Sequence, residues 1–274
     1  MKVIGVGDNV VDMYLDQGKM YLGGNALNFS NFARELGVKS SFIGNFGTDE
    51  IANYAKRALN KLNIDISHSH TLNGENGRSR VALKNHDRVF IDSNNGGVLK
   101  QGLNMTSRDI DYINQFDIVH FNINGNANQY LTNIKGPTLI YDFSDLYEIN
   151  DIKRIAQYID IACFSVGSMS DQNISKMVKE INSFGIMDIL ITRGSYGAYF
   201  FHDSKRYIQK PVKVTVVDTM GAGDAFITSF VIKYKETDCI EESLKFAAEY
   251  ASQQVQRHGS FNNPEKIPSK YNVI

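Results

Sequence analysis

The stretch that decides the fold reads Val214-Thr-Val-Val-Asp218-Thr219-Met220-Gly221-Ala222-Gly223-Asp224-Ala225-Phe226. A strand-like run leads into a turn of small residues, and a helical segment follows. The two glycines allow the backbone to turn sharply and to come close to a ligand. The first turn of the helix then offers free N–H groups and the positive end of the helix dipole. This arrangement suits an anion, in particular a transferring phosphoryl group.

Asp224 has two interpretations in this setting. A carboxylate beside a phosphate site repels the phosphate, but it suits a general base that accepts the proton of an attacking hydroxyl. An aspartate in the first turn of a helix is also common for its interaction with the helix dipole alone. The spacing leaves both interpretations open.

Strand-like and helix-like segments alternate on either side of this stretch. Strands are predicted at residues 2–6, 40–43, 118–121, 138–141, 159–164 and 188–192. Helices are predicted at residues 25–36, 49–62, 107–115, 127–134, 149–158, 170–184, 222–234 and 239–257. The alternation predicts an α/β fold with a mainly parallel sheet, helices on both faces and ligands at the carboxyl ends of the strands. Residues 1–274 are expected to form one such domain.

The region from residue 66 to 98 has a different pattern. Short β-rich runs at 80–83 and 88–91 are separated by turn sequences, namely Asn73-Gly74, Asn76-Gly77 and Asn85-His86-Asp87. This is typical of hairpins and predicts a small sheet appended to the main domain. A further hairpin is predicted at 196–201 and 206–208, and the tail 262–274 is expected to be ordered in part at best.

The composition excludes several classes of protein. The chain has 274 residues, of which 42% are hydrophobic and 22% charged, as in ordinary globular proteins. A formal net charge of -1 gives no basic surplus for binding nucleic acid. Cys163 and Cys239 match no metal or redox spacing and are expected to be free thiols. The N-terminus lacks the features of a signal peptide and no apolar run is long enough to span a bilayer, so a cytoplasmic protein is expected.

A second motif lies near the N-terminus and reads Gly23-Gly24-Asn25-Ala26-Leu27-Asn28 … Ala33-Arg-Glu-Leu-Gly37 … Gly44-Asn-Phe-Gly47-Thr48-Asp49-Glu50. Together with Asp218-Thr-Met-Gly-Ala-Gly-Asp224, and in the same order, it resembles the two signatures of the ribokinase-like (PfkB) sugar kinase family. The resemblance extends to His258-Gly259, nearly the whole chain. It implies a ribokinase-like three-layer sandwich with a small β-lid, and an ATP-dependent kinase that phosphorylates a sugar hydroxyl.

The resemblance also implies roles for individual residues. Asp224 matches the catalytic base of the family, and the preceding Gly221, Ala222 and Gly223 match its anion hole. Four positions match residues that hold sugar hydroxyls: Asp12, Gly24, Asn25 and Asn28. From the residues alone, Asp12 is better interpreted as a turn residue and Asn28 as a helix-surface residue.

For the nucleotide, the resemblance implies a loop near the ATP phosphates and a segment that flanks the adenine. The matching positions are Thr192, Arg193, Gly194, Gly197, Thr219 and His258. Arg193 would pair with a phosphate oxygen, although a solvated loop arginine is the alternative. Mg²⁺ is expected with ATP. Some family members bind a monovalent cation, and K⁺ would lie here beside Asp218, Thr219 and Ser260.

The appended β region is similar to the lid of the family, which covers the sugar and often forms a dimer interface. The lid is expected at about residues 13–22 and 66–98, and it predicts a homodimer. One departure concerns the metal. The family pattern Asn-x-x-Glu is replaced by Ser165-Val-Gly-Ser168-Met-Ser-Asp171, so Asp171 is a candidate carboxylate at a shifted position.

A finer resemblance concerns the substrate. Five stretches look like those of bacterial fructoselysine 6-kinases: Asp65-Ile-Ser-His-Ser-His-Thr71, Asn85-His-Asp-Arg-Val-Phe90, Phe116-Asp-Ile-Val-His120, Tyr141-Asp-Phe-Ser-Asp145 and Gln256-Arg-His-Gly259. A fructosamine carries an amine, so its site is expected to contain acidic or amide groups beyond the sugar. Candidates are Asp92, Asn122, Asn124 and Asp145, which are equally compatible with ordinary strand-end and turn residues. Fructose and other sugars are the alternatives.

Two other classes of protein are alternatives to a sugar kinase. Gly5-Val-Gly7 follows a first strand, as in a dinucleotide-binding fold, but Val10 replaces the third glycine and no acidic residue ends the second strand. A regulatory protein that kept the kinase fold and lost turnover is the other alternative, favoured by the altered Asn-x-x-Glu region. A P-loop kinase is excluded because the sequence contains no G-x-x-x-x-G-K-[ST].

Overall fold

The computed structural model describes residues 1–84, 87–203, 205–261 and 263–271, and within them the strands form two sheets. The predicted turn at Asn85 and His86 lies outside the described residues. The strands are β1 (Lys2–Gly7), β2 (Val10–Tyr14), β3 (Lys19–Gly23), β4 (Lys39–Phe46), β5 (His70–Thr71), β6 (Arg78–Lys84), β7 (Asp87–Ser93), β8 (Ile118–Asn122), β9 (Thr138–Asp142), β10 (Ile161–Ser165), β11 (Asp188–Thr192), β12 (Ala198–His202), β13 (Lys205–Gln209) and β14 (Glu265–Lys266). The α-helices are α1 (Asn25–Glu35), α2 (Glu50–Lys61), α3 (Ser107–Ile113), α4 (Ile149–Ile155), α5 (Asp171–Asn182), α6 (Ala222–Thr237) and α7 (Ile240–Gln254).

The larger sheet has nine strands in the order β13-β12-β11-β10-β9-β8-β1-β4-β5. Its strands from β11 to β5 are parallel, and β12 and β13 are antiparallel at one edge. The central strands are buried on both faces, as their continuous apolar runs predict. The carboxyl ends of β1, β8, β9, β10 and β11 therefore meet at one edge of the sheet.

Helices cover both faces of this sheet, which gives the three layers expected of the fold. Phe29 of α1, Phe230 of α6 and Leu244 of α7 share one apolar core. Ile152 of α4 and Ile174 of α5 belong to the core on the opposite face. The mainly parallel three-layer sandwich is confirmed.

The second sheet has five strands in the order β14-β3-β2-β6-β7. Its strands overlap the ranges predicted for the lid, about 13–22 and 66–98, and the role of this sheet as a lid stays a prediction. β2 begins at Val10, and β5, inside the predicted range, pairs with β4 of the larger sheet, with Asn45 opposite His70. The C-terminal tail supplies β14, which pairs with β3 through Glu265 and Met20. The tail, predicted to be ordered in part at best, is described from 263 to 271; residues 262 and 272–274 lie outside the described residues.

Two predicted elements differ in kind from those observed. Residues 214–217 form no strand, and their backbone approaches the end of α7 instead, where the Val217 N–H donates to Val255 O at 2.7 Å. The predicted helix 127–134 is a 3₁₀ segment, Asn128–Asn133, in an asparagine-rich stretch that favours turns over an α-helix. No helix among the described residues has the length and apolar character needed to cross a membrane.

Candidate active site

The two sequence motifs meet where α1 packs beside α6. Asn28 lies one turn inside α1, and its Nδ2 donates a hydrogen bond of 2.6 Å to Oδ2 of Asp224. The two residues are 196 positions apart in the sequence. Asn28 is buried, and its Oδ1 has no hydrogen-bond partner among the described residues. The amide thus fixes the Asp224 carboxylate and keeps an acceptor for a ligand hydroxyl.

Asp224 occupies the third position of α6, within its first turn. Gly221 precedes the helix with φ of 69°, a conformation that favours glycine, and a Cβ there would lie 2.9 Å from the Cβ of Ser260. A Cβ at Gly223 would meet no atom within 4 Å. The N–H of Ala222 donates to Thr219 O at 3.2 Å, so it already has an acceptor within the turn. The helix-start amides with open space beside them are suited to an anion close to this carboxylate.

Asp12 and Gly24 lie at the junction of the second sheet and α1. Asp12 is buried in β2, and a Cβ at the neighbouring Gly23 would lie 2.5 Å from its Oδ2. Gly24 has φ of 102° and starts α1, with Asp8 O 2.9 Å from where its Cβ would stand. The backbone therefore needs glycine here to approach so closely. The structure places these residues in the same strand-to-helix junction as Asn25.

A polar network lies at the carboxyl ends of β1, β8 and β9. It consists of the half-buried Asn25 and the buried side chains of Asp8, Asn122 and Asp142. Asp8 accepts hydrogen bonds from the N–H groups of Asn25 and Ala26 at 3.1 and 3.0 Å. Asn122 Nδ2 donates to Asp8 at 2.7 Å, and Asn25 Nδ2 donates to Asp142 at 2.9 Å. Asp8 thus caps α1, whose own N-cap is a glycine, and Asp142 orients the side chain of Asn25.

Burial raises the pKa of both carboxyl groups in this network. The pKa of Asp142 is raised to about 6, chiefly by burial, with a contribution from the negative charge of Asp8. Hydrogen bonds from Ser144 N–H and from Asn25 oppose this rise. Burial also raises the pKa of Asp8, against the hydrogen bonds from Ala26, Asn122 and Asn25. The site therefore contains a carboxyl that titrates near neutral pH.

Asp8 and Asp142 were not among the predicted site residues. Asp8 belongs to none of the motifs, and Asp142 appears only within a stretch of family resemblance. A signal existed in the sequence, because each carboxylate lies one or two residues after a predicted central strand, where ligands of parallel sheets bind. Their shared contact with Asn25 depends on the strand order β1-β8-β9, which the sequence did not specify.

The residues predicted to bind the nucleotide, in the loop after β11, differ in burial and in the space around them. Thr192 is buried, and its hydroxyl lies 2.8 Å from that of Ser165. Gly194, with φ of 53°, is open to solvent, whereas a Cβ at Gly197 would collide with Gln209 O at 2.1 Å. Gly197 therefore allows a tight turn against β13, and Gly194 is the position at which a phosphate can approach the backbone.

Arg193 and Asp171 form an ion pair in which the arginine side chain is nearly buried and the aspartate side chain is 54% exposed. The guanidinium of Arg193 lies 3.3 Å from Asp171, donates to Tyr199 Oη, and donates to Met169 O at 2.9 Å. Asp171 also accepts from Tyr199 at 2.9 Å and lies 3.4 Å from Arg206. The predicted phosphate-binding arginine and the predicted metal-binding carboxylate thus neutralise each other in this structure.

The other residues predicted around the nucleotide and the cation lie near the start of α6. Asp218 is fully buried, and Ser260 is buried with its hydroxyl unpartnered among the described residues. Thr219 and His258 are exposed, and Nδ1 of His258 lies 3.3 Å from Nε2 of Gln17. These residues bring the 257–260 loop against the turn before α6.

The four residues suggested for an amine are dispersed. Asp92 lies on β7 and is ion-paired with Arg80 of β6. Asn122 belongs to the polar network, and Asn124 and Asp145 are exposed just beyond β8 and β9. Asp92 is therefore already neutralised, and the other three remain near the edge of the sheet where the site lies.

A cleft of about 790 Å³ lies elsewhere, at the amino ends of β9, β10 and β11. Thr138, Asp160 and Asp188 are among the residues that line it. This edge of the sheet is opposite to the one that carries Asp142 and Thr192, so the cleft is distinct from the candidate active site.

One protein family matches most of the chain. The pfkB family of carbohydrate kinases matches residues 1–136 and 147–267. The chain belongs to this family. It is a carbohydrate kinase, a phosphotransferase with an alcohol group as acceptor, as expected from the Asp224 motif.

Two curated relatives and one solved structure are similar along most of the chain. The fructosamine kinase FrlD of Bacillus subtilis (strain 168) is 34% identical, over 95% of this chain and 93% of the relative. The fructoselysine 6-kinase of Escherichia coli (strain K12) is 30% identical, over 93% of this chain and 98% of the relative. The structure of Arabidopsis thaliana ribokinase complexed with ribose and ATP superimposes with a TM-score of 0.77 at 23% identity, covering 94% and 93% of the two chains. The ribokinase-like fold is thereby confirmed.

Proposed function

We propose that this carbohydrate kinase transfers the γ-phosphoryl group of ATP to the 6-hydroxyl of fructoselysine or a related fructosamine. The observation that carries the phosphoryl-transfer chemistry is the contact between Asn28 and Asp224 at the start of α6. The fructosamine substrate is supported by the similarity to the kinases of Bacillus subtilis and Escherichia coli, which are named for that class of substrate.

Asp224 acts as the general base in this proposal. Its carboxylate accepts the proton of the substrate hydroxyl as the oxygen attacks the γ-phosphorus in line with the leaving group. Asn28 holds the carboxylate by its 2.6 Å hydrogen bond, so little reorganisation is needed when the substrate arrives. The amides at the start of α6, beside the open Gly223, stabilise charge on the transferred phosphoryl group.

Hydroxyl recognition falls to the residues at the junction of the second sheet and α1. Asn28 Oδ1 is a buried acceptor without a protein partner among the described residues. Asn25 is held by Asp142, and Asp12 lies beside Gly23 and Gly24. Short carboxylate and amide groups suit paired hydroxyls, because they donate and accept at fixed positions. We propose that the second sheet covers the substrate from above this junction.

ATP is placed along the loop after β11 and the 257–260 loop, where Gly194 allows close approach of a phosphate. Arg193 has a supporting role in this proposal, since its guanidinium is bound by Asp171 and Tyr199. Mg²⁺ would neutralise charge on the phosphates. Within the described part of the chain, no cluster of three His, Cys, Asp or Glu side chains is arranged to hold a metal. Mg²⁺ is therefore expected to be held mainly by phosphate oxygens and water. A cytoplasmic location remains a prediction.

The test is ADP release with Mg-ATP against fructoselysine, glucoselysine, fructose, ribose and tagatose 6-phosphate. We expect kcat/KM to be at least about tenfold higher for fructoselysine than for any other compound. A preference for fructose would assign a fructokinase instead. No turnover with any substrate would favour a sugar-binding regulatory protein, an alternative supported by the engagement of Asp171 with Arg193.

A further inference from the structure

The turn from Asp218 to Gly221 packs against the 257–260 loop directly behind the proposed anion site. The family resemblance places a monovalent cation at this point, beside Asp218 and Ser260. Such a cation needs a shell of several oxygen atoms that are free to accept it. Whether the oxygens of these two loops are free can be read from their hydrogen bonds.

The carboxylate of Asp218 is surrounded by donors. Its Oδ2 accepts from the hydroxyl of Tyr14 at 2.7 Å and from the N–H of Gly259 at 2.9 Å, and its Oδ1 accepts from the N–H of Met220 at 3.0 Å. Asp218 and Tyr14 are fully buried. Three donors directed at a buried carboxylate stabilise its charge without a metal ion.

Two backbone carbonyls of the same loops are also occupied. Nε2 of Gln254, at the end of α7, donates to Met220 O at 3.1 Å and to Gly259 O at 2.7 Å. The orientation of this amide is fixed, because its Oε1 accepts from Arg257, a side chain that can only donate. Gln254 is almost completely buried, and Arg257 is held in turn by Glu35 at 2.7 Å.

These contacts do not fit a bound monovalent cation. An ion at this point would meet the N–H groups of Gln254 and the donors that surround Asp218, whose positive ends would repel it. The hydroxyl of Ser260 is buried and unpartnered among the described residues and lies beside Gly221. One hydroxyl does not form a cation shell where three donors face the carboxylate of Asp218 and the Gln254 amide faces both carbonyls.

We propose that the side-chain amide of Gln254 and the hydroxyl of Tyr14 take the place of a monovalent cation in this chain. Both are positioning residues, because they act on the reaction by holding the turn that leads into Gly221–Gly223. The inference rests on the proposed kinase function, and it predicts that turnover does not require K⁺. Since Tyr14 lies on β2 of the second sheet, two residues after Asp12, the same contact ties the position of that sheet to the anion site.

The first test compares turnover of the wild-type protein in K⁺ and in tetramethylammonium, at constant Mg²⁺ and ionic strength. We expect kcat to agree within about twofold between the two salts, and the melting temperature to show no K⁺-specific shift. A saturable activation by K⁺ of about tenfold or more would overturn the inference while leaving the kinase function intact. Absence of turnover in both salts would instead count against the proposed function.

The second test replaces the amide. Gln254→Ala frees the carbonyls of Met220 and Gly259 and opens space between them. We expect kcat to fall by at least about tenfold in tetramethylammonium, because the anion site loses its support. K⁺ should restore part of the loss and raise the melting temperature of this variant. Gln253→Ala, one residue earlier and exposed, is the matched control.

Tyr14→Phe keeps the test decisive if Gln254→Ala does not fold. It removes the hydroxyl on Asp218 and retains the ring, so we expect a lower kcat together with a response to K⁺ that the wild type lacks. A purely structural role would lower stability without creating a K⁺ response, and that result would overturn the inference. Wild-type turnover in both variants would overturn it as well.

Discussion

One hydrogen bond between distant residues, from Asn28 to Asp224, supports the role of Asp224 as a general base. Asn28 is buried on α1, and its side-chain amide donates the hydrogen bond that orients the Asp224 carboxylate at the start of α6. An aspartate that served only as a helix-dipole partner would not need a buried amide from another helix. The contact therefore favours the general-base interpretation of Asp224 over the local one.

Removing the Asn28 amide should impair catalysis more than folding. For Asn28→Ala we expect kcat/KM to fall by about 100-fold, since the carboxylate loses its fixed position and the substrate loses an acceptor. Steady-state kinetics with Mg-ATP and fructoselysine provide the measurement. Asn60→Ala, at an exposed position of α2, is the control for a helical asparagine. Equal kinetics in the two variants would contradict the role of Asn28.

Asp142 predicts a pH dependence of stability. Its pKa rises from 3.8 to about 6 on folding, so the folded protein keeps a proton that the unfolded chain loses between these values. Its contribution is therefore full below about pH 4 and is lost as the pH rises through about 6. For Asp142→Asn, the free energy of unfolding relative to wild type should increase by up to about 3 kcal/mol between pH 4 and pH 7.

Urea denaturation of both proteins across this pH range measures the effect. The absolute stability of Asp142→Asn also reflects an altered hydrogen bond to Ser144 or Asn25, so the informative quantity is the change with pH. Parallel curves for the two proteins would show that Asp142 does not titrate abnormally.

At the scale of elements, two glycines at the start of α6 have different structural roles. Gly221 adopts φ of 69° and packs on Ser260, whereas Gly223 has a helical position beside open space. Glycine at 221 is needed for the backbone conformation, and glycine at 223 is needed to leave room for a ligand. The two tasks can be distinguished by adding one methyl group at each position.

Gly221→Ala should destabilise the protein by about 1–3 kcal/mol, because alanine is strained at this φ and its Cβ meets Ser260. Gly223→Ala should leave stability unchanged or raise it by about 0.5–1 kcal/mol, as expected in a helix. Its methyl group would nevertheless crowd the anion site, so kcat should fall by at least about tenfold. Thermal unfolding and kinetics of the pair provide the measurement, and an active Gly223→Ala would place the phosphoryl group elsewhere.

Elements were predicted well where one segment carries its own signal. The apolar runs of β8, β9 and β11 and the periodicity of α2 and α5 gave strands and helices within a few residues of those observed. Residues 214–217 were predicted as a strand because Val and Thr favour extended structure, but a strand also needs a neighbouring strand, and the N–H of Val217 bonds instead to Val255 O at the end of α7. The pairing of β5 with β4 and of β14 with β3 likewise depends on tertiary contacts.

The candidate site was predictable to the extent that its residues lie in motifs. Asp224, Asn28, Asn25 and Gly24 were identified in this way, and the structure brings them to one edge of the sheet. The capping of α1 by Asp8, 17 residues before Asn25, could not be predicted because it depends on how β1 lies beside the helix. The ion pair between Arg193 and Asp171 could not be predicted either, because it also depends on how separate elements pack together.

At the scale of the whole molecule, the second sheet has an edge that a partner could cover. β7 is its outermost strand, and Val89 and Ile91 on this strand are 44% and 52% exposed. An exposed apolar edge strand is a liability unless another surface buries it. We therefore predict a homodimer through the second sheet, as the family resemblance implies.

Light scattering coupled to size-exclusion chromatography tests this prediction. The wild-type protein should have the mass of a dimer, and Ile91→Lys should shift it towards the monomer, because a buried lysine without a partner opposes association. Val212→Lys, at another exposed apolar position outside the second sheet, should leave the mass unchanged. A wild-type monomer at micromolar concentration would contradict the prediction.

The most direct test of the central claim is the turnover of Asp224→Asn with Mg-ATP and fructoselysine, measured beside substrate binding by calorimetry. The amide keeps the shape of the side chain but is a poor proton acceptor. We predict that the Kd for the substrate stays within about threefold of wild type while kcat falls by at least about 1,000-fold. Near-normal turnover of Asp224→Asn would show that Asp224 is not the base and would contradict the account.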